Sequence, residues 1–355
     1  MAGAPLQILG LGASTPIGRN VWATAAAARA GVCGFAEHPY MVDTAGEPMR
    51  MAPAPWIDID TDSATRMAAL LLPAIEEALT PLTAPDGNVP ARIGLALALP
   101  RQRPGRPRAL AEDLLATLRK RMDGRFARVA RFEVGHAAGY LAIAAVEASC
   151  ARGDFDACVV AGVDSYLSPE TLEWVEACDQ LHGGGPLNNA WGFIPGEAAG
   201  AVLLGPASLA QRCGLEPLGE LVSVGIGMES NLIKTDGVCI GEGLTQAFRS
   251  ALKALALGEK VHNVFCDLNG EPYRADEFGF AALRTGACFR AVSDFVALAD
   301  CWGDVGAAGA PLHIALSVIA HRKRYAKGPL SMAWGSSESG ERGAALVRGT
   351  DPDGG

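Results

Sequence analysis

Short apolar runs alternate with longer amphipathic stretches along the chain. Residues 6–11, 92–99, 157–162, 198–204, 218–225 and 261–268 read as strands. Most lack polar alternation, which predicts strands covered on both faces. Between them, 20–30, 66–79, 139–152, 170–178, 244–257, 276–285 and 306–323 carry apolar or small residues at helical spacing. Ser63 is the expected cap of the second helix. Residues 12–18, 182–190 and 269–273 read as turns or loops, and 329–335 with 344–347 as a closing hairpin-like pair. Strands alternating with helices predict an α/β architecture. The chain divides near 205–215. This gives an N-terminal half at 1–210, a C-terminal half at 211–349 and a mobile tail at 350–355.

Composition narrows the function classes. The 355 residues are 49% hydrophobic and 19% charged, enough apolar surface for a sizeable core and against dominant disorder. A net charge of −9 argues against general nucleic-acid binding. No apolar run reaches the ~18 residues of a membrane span, and the N-terminus lacks the basic region of a signal peptide. The nine cysteines form no CxxC pair and the six histidines no HxxxH or HExxH spacing. The expectation is reduced thiols in a cytoplasmic protein with no metal and no other cofactor. Gly10 and Gly12 open no GxGxxG fingerprint, so NAD is not implied. One segment departs from the rest. Residues 101–131 hold ten Arg or Lys against three Asp or Glu, a net of +7. This is either a solvated basic helix face or a docking surface for an acidic partner, with Arg119, Lys120, Arg121, Arg125 and Arg128 as the contact residues.

Several segments, in order, resemble the β-ketoacyl-ACP synthases of the thiolase superfamily. Ile8-Leu9-Gly10-Leu11-Gly12-Ala13-Ser14-Thr15-Pro16-Ile17-Gly18 looks like the family's opening GxGxxTPxG strand and turn. Ala30-Gly31-Val32-Cys33-Gly34-Phe35 is similar to its AGxSGI stretch, and Arg66-Met67-Ala68 through Leu79 to its first long helix. Ala157 to Asp164 is similar to DxxxAGGxE. Trp191-Gly192-Phe193-Ile194-Pro195-Gly196-Glu197-Ala198-Ala199-Gly200 is the most specific, resembling DGFVxGEGAG. Asp267-Leu268-Asn269-Gly270 through Leu283 resembles NxHGTxTxxxDxxE, Gly306-Ala307-Ala308-Gly309 resembles GHxxGAAG, and Gly335 to Val347 the closing NSFGFGGxNAxLV. The resemblance implies a thiolase fold: two pseudo-symmetric αβα halves forming a five-layered core. It also implies a dimer built across the strand before the nucleophile turn, here at 131–135.

The same alignment removes the family's chemistry. Such an enzyme needs a cysteine thiolate at a helix N-terminus, two histidines and a supporting lysine. By the resemblance, His136 stands at the cysteine position, within Val134-Gly135-His136-Ala137-Ala138-Gly139. Asn269 stands at the first histidine, Gly303 at the second, and Leu298 near the lysine. Asparagine replaces one histidine in decarboxylating relatives, and Asn269 echoes that. The closing phenylalanine gate is replaced by Glu338-Ser339-Gly340.

Three readings follow. The first is a catalytically degenerate, non-enzymatic scaffold or adaptor, such as an accessory protein for a secretion-system effector. The second is a chain-length-factor-like subunit in a heterodimer with a ketosynthase. The third is an acyltransferase or thioesterase using His136, oriented by Asp304 or Asp300. There His136 sits at a helix N-terminus, which disfavours the imidazolium and predicts a neutral base at pH 7. The partners implied are a homodimer or heterodimer mate and an acidic protein, either an acyl carrier protein or an effector. A pocket packed shut by Tyr140, Phe193 or Trp302 counts against both acyl-handling readings.

Overall fold

The computed structural model describes residues 5–83, 92–233, 235 and 237–350. The tail read at 350–355 therefore lies outside the described residues except for Thr350. The N-terminal half contributes β1 (Leu6–Ser14), α1 (Val21–Arg29), β2 (Ala36–Val42), β3 (Pro48–Met51), α2 (Ser63–Leu79), β4 (Ile93–Ala98), α3 (Leu110–Arg121), β5 (Arg128–Phe132), α4 (Ala138–Ala151), β6 (Ala157–Ser165), α5 (Pro169–Ala177), β7 (Glu197–Gly205) and α6 (Ala207–Cys213). The C-terminal half contributes β8 (Gly219–Met228), α7 (Glu242–Leu252), β9 (Asn263–Cys266), α8 (Pro272–Thr285), β10 (Phe295–Ala297), α9 (Ala299–Trp302), α10 (Gly309–Arg322), β11 (Leu330–Ser336) and β12 (Glu341–Gly349).

Ten strands form one sheet in the order β10-β9-β11-β12-β8-β1-β7-β6-β4-β5. From β5 inward, the pairings to β4 and β6 are parallel and those to β7 and β1 antiparallel. From β10 inward, the pairings to β9 and β11 are parallel and those to β12 and β8 antiparallel. The two halves thus repeat one five-strand pattern. They join through Leu6–Ile8 of β1 against Gly219–Leu221 of β8.

Five layers result. α4 and α10 lie in the middle, touching β6 and β7 on one side and β8, β11 and β12 on the other. α2 and α3 cover the outer face of the first half, and α7 and α8 that of the second. Because β4, β6 and β7 are covered on both faces, every one of their residues is buried. This is why the sequence shows continuous apolar runs there instead of alternation. Among the described residues, no helix is long and apolar enough to cross a membrane.

The local readings need four corrections. Asp62, not Ser63, caps α2: its carboxylate accepts from the N–H of Ala64 and Thr65, while the Ser63 hydroxyl donates to the Gly105 carbonyl. The strand expected at 131–135 is β5, which ends at Phe132. Helix α6 and the separate β2–β3 hairpin were not anticipated; β2 is largely exposed and has no apolar run to reveal it. Helix α7 ends at Leu252, short of the expected 257.

Close backbone approach fixes how the outer helices sit. A Cβ on Gly12 of β1 would lie 1.9 Å from the Ala74 carbonyl oxygen of α2. Its counterpart, Gly227 of β8, would meet the Gly243 carbonyl of α7 at 2.0 Å. Only a missing side chain permits either contact. Gly12→Ala and Gly227→Ala should therefore each lower stability by about 1–3 kcal/mol, read as a fall in urea midpoint at unchanged slope. Gly279, in α8 with open space around it, is the control. There, alanine should be neutral or stabilising by up to about 1 kcal/mol.

Candidate functional site

Gly135, in the left-handed region at φ +80°, turns the chain from β5 into α4 and presents His136 to the middle of the molecule. Ala137 donates its N–H to the Ser337 hydroxyl across 2.9 Å, tying this turn to the β11–β12 connection. Opposite lies the Gly303–Gly306 turn. Gly303 has φ +71°, and a Cβ there would fall 2.5 Å from the Ile194 carbonyl oxygen. The backbone itself therefore excludes a histidine, or any other side chain, at this position. Asp304 follows, pinned by backbone hydrogen bonds to Ile194 and Gly196.

The structure brings three of the singled-out positions together. Both oxygens of Asp304 face His136 Nε2, at 2.8 and 3.0 Å. Asn269 donates from Nδ2 to Asp304 Oδ2 at 2.7 Å. The group the sequence reading missed is Arg274 of α8, which is fully buried. It donates to Asp267 at 3.0 Å, to Glu271 at 3.2 Å and to the Ser336 carbonyl at 2.8 Å, and its Nη2 lies 3.3 Å from His136 Nε2. Gln180 extends the network by donating to Glu271 and Glu338, each at 2.7 Å. The signal for Arg274 was its i,i+3 spacing from Glu271 at the start of an otherwise apolar-faced helix.

Charge balance sets the protonation states. Asp267, Glu271 and Asp304 are three carboxylates facing Arg274 and His136. Burial opposes an imidazolium, yet Asp304 outweighs both burial and the repulsion from Arg274, and the His136 pKa is raised. Burial likewise opposes ionisation of Asp304, but His136 and Arg274 hold its carboxyl well below the usual range. A helix N-terminus would push the His136 pKa down; a carboxylate 168 residues away in sequence moves it up instead. His313 on α10 behaves oppositely. Buried beside Tyr140, with its Nδ1 3.5 Å from the phenol, it has its pKa held down to about 4.

The cavity at His136 is small, about 210 Å³, below the roughly 300–1,000 Å³ of ordinary ligand pockets. Tyr166, Trp174 and Phe193 wall it, and no cysteine lines it among the described residues. Tyr140 and Trp302 are buried in the middle layer. Leu298 lies elsewhere, lining a separate apolar pocket next to α1 and α10. Cys301 is buried with its thiol near the Ala28 carbonyl, and burial raises its pKa. Loop 182–185 is held by the β2–β3 turn, where Asp43 accepts from Gly185.

Among the described residues, Glu229, Cys239 and Glu277 bring ligand atoms within 4.8 Å of one another. All three are otherwise engaged or protonated. Glu229 accepts from three backbone N–H groups, Glu277 pairs with Arg342, and burial pushes the Cys239 thiol up to about 11.

The basic segment divides. Arg103 and Arg106 turn inward to Asp164 and Glu133. Arg119, Lys120 and Arg121 are exposed on the last turn of α3, Arg125 is half-buried, and Arg128 on β5 lies 3.8 Å from Asp154.

Residues 134–210 match the β-ketoacyl synthase N-terminal domain. No curated protein matches the chain. Among solved structures, a type II PKS acyl-carrier protein in complex with its ketosynthase is similar at TM-score 0.80 and 16% identity, over 98% of this chain and 100% of the matched one. The ishigamide ketosynthase/chain length factor is similar at 0.70 and 19%, over 98% and 99%. A β-ketoacyl synthase from Burkholderia phymatum STM815 is similar at 0.73 and 16%, over 98% and 99%. At these identities the likeness is one of fold.

The linkage of these groups to stability is testable. Arg274→Met leaves the buried carboxylates of Asp267 and Glu271 without their cation, and should cost about 3–5 kcal/mol at neutral pH. His136, with a raised folded pKa, contributes stability that is full below about pH 6.5 and is lost as pH rises through the folded value. His313, with a depressed one, loses stability as pH falls from about 6.5 towards 4, on the order of 3 kcal/mol in all. His313→Gln should flatten that acid limb, and Asp304→Asn should lower the His136 pKa followed by NMR.

Proposed function

Because the chain has the thiolase fold of the β-ketoacyl synthases and chain length factors, we propose that it is a non-condensing relative that works by binding a protein partner. One observation carries the reading. The position where ketosynthases hold their nucleophile is occupied by a histidine clamped between Asp304 and Arg274. With Nε2 held by the Asp304 carboxylate and Arg274 3.3 Å away, that nitrogen is not free to take an acyl group or a substrate proton. The 210 Å³ cavity leaves little room for an acyl-thioester beside it.

The partner surface proposed is the β5 edge. β5 ends the sheet, and Arg128, Val129, Ala130 and Arg131 on it are all exposed. An unpaired edge strand offers free backbone donors and acceptors to a strand of another chain. Arg119, Lys120 and Arg121, exposed at the end of α3 just before it in the chain, would attract an acidic protein. A homodimer mate at β5 with an acidic client on α3 fits the scaffold or adaptor role.

The second reading is a chain-length-factor-like subunit pairing with a cysteine-bearing ketosynthase. It is favoured by the full-length likeness to the ishigamide ketosynthase/chain length factor. The two differ in the mate. Purified alone, a scaffold forms a stable homodimer, whereas a chain-length-factor-like subunit needs the active ketosynthase.

Incubated with acyl thioesters, the protein should show no acyl adduct by intact mass, and His136→Ala should leave partner capture unchanged. An adduct on the wild type that His136→Ala abolishes would sink the non-enzymatic reading. Ala130→Pro should shift the dimer to monomer in size exclusion with light scattering. Charge reversal at Arg119, Lys120 and Arg121 should weaken capture of an acidic partner and flatten its salt dependence.

A further inference from the structure

We propose that the apolar pocket between α1, α10, β9 and β10 binds a straight-chain carboxylate of about eight carbons, headgroup outward. The pocket measures about 290 Å³. Its floor is Phe265, Leu298 and Leu316, all buried members of the central core. It is open because its walls are alanines: Ala25 and Ala28 on α1, Ala320 on α10 and Ala326 just beyond it. Larger residues would continue the packing of the middle layer. As built, the core has a recess that opens outward.

The rim supplies the headgroup preference. Arg29 lies with its guanidinium carbon 4.0 Å from the centre of the Tyr325 ring, and it has no carboxylate partner among the described residues. Lys327 and Asp294 on the same rim neutralise each other. Asn263 has its amide spent on Gly328, Leu330 and Ser331 and its oxygen on the Lys327 N–H. The uncompensated charge at the mouth is therefore positive, on a planar fork suited to a carboxylate. Its stacking on Tyr325 holds that fork in place. At about 30 Å³ per water-sized group, the volume admits about ten non-hydrogen atoms, which octanoate has. None of these residues belongs to the His136 network or to β5, so the site stands apart from the partner-binding reading.

The test is calorimetric titration of the full chain with octanoate, octanol and octylamine, with acetate as a head-only control. Octanoate should bind one-to-one and saturably, octanol more weakly, and octylamine and acetate not measurably. Ala28→Leu, on the half-buried wall, should weaken octanoate at least tenfold. Ala320→Phe should abolish binding if a melting curve shows it folded. Arg29→Gln should weaken octanoate about tenfold while leaving octanol unchanged, the size expected for one charge-assisted contact. Absence of saturable octanoate binding overturns the proposal. So does binding that Ala28→Leu leaves intact, or octylamine binding as tightly as octanoate.

Discussion

Burying an arginine requires that its charge be met, and the centre of this molecule is organised around that constraint. Arg274 is met by carboxylates and a carbonyl from separate pieces of chain: Asp267 just past β9, Glu271 at the start of its own helix, and Ser336 at the end of β11. Asp304, from the turn before α10, faces the same cluster and draws His136 in from the N-terminal half. A buried cation left unpaired is costly, so these segments hold each other in register. The network joins the two halves of the fold at the place where their glycine-lined turns converge.

On the proposed reading, that arrangement is also what separates this site from one built for thiolate catalysis. Thiolate catalysis needs a nucleophile facing an open, electropositive cavity. Here the electropositive groups face carboxylates instead, and they stabilise the protein where a catalyst would leave them free. Gly303 must stay a glycine, because its backbone conformation and its contact with Ile194 leave no space for a side chain. The scaffold is left with an exposed edge strand and a cationic helix end.

Much of the fold was legible along the chain. β4, β6 and β7 are read correctly because strands covered on both faces must be continuously apolar, and such runs stand out. Gly10 and Gly12 mark the close approach of β1 to α2. The hairpin β2–β3 escaped because β2 is largely exposed with no period and β3, though it alternates, is only four residues long. The basic segment was legible as a charge excess but not as a surface. Which of its arginines point inward depends on Asp164 and Glu133, whose nearness no local pattern records.

The candidate site shows the same division. The sequence by itself determined the α/β architecture and placed His136, Asn269 and Gly303 in glycine-flanked turns, because each is a matter of residue type in a local motif. The tertiary structure decided that His136 meets Asp304, that Arg274 lies against both, and that Leu298 belongs to a different pocket. It also decided the direction in which the His136 pKa moves. A helix terminus acts within a turn, whereas an ion pair acts wherever folding places its partner, and in a buried centre the nearer full charge outweighs the fractional one.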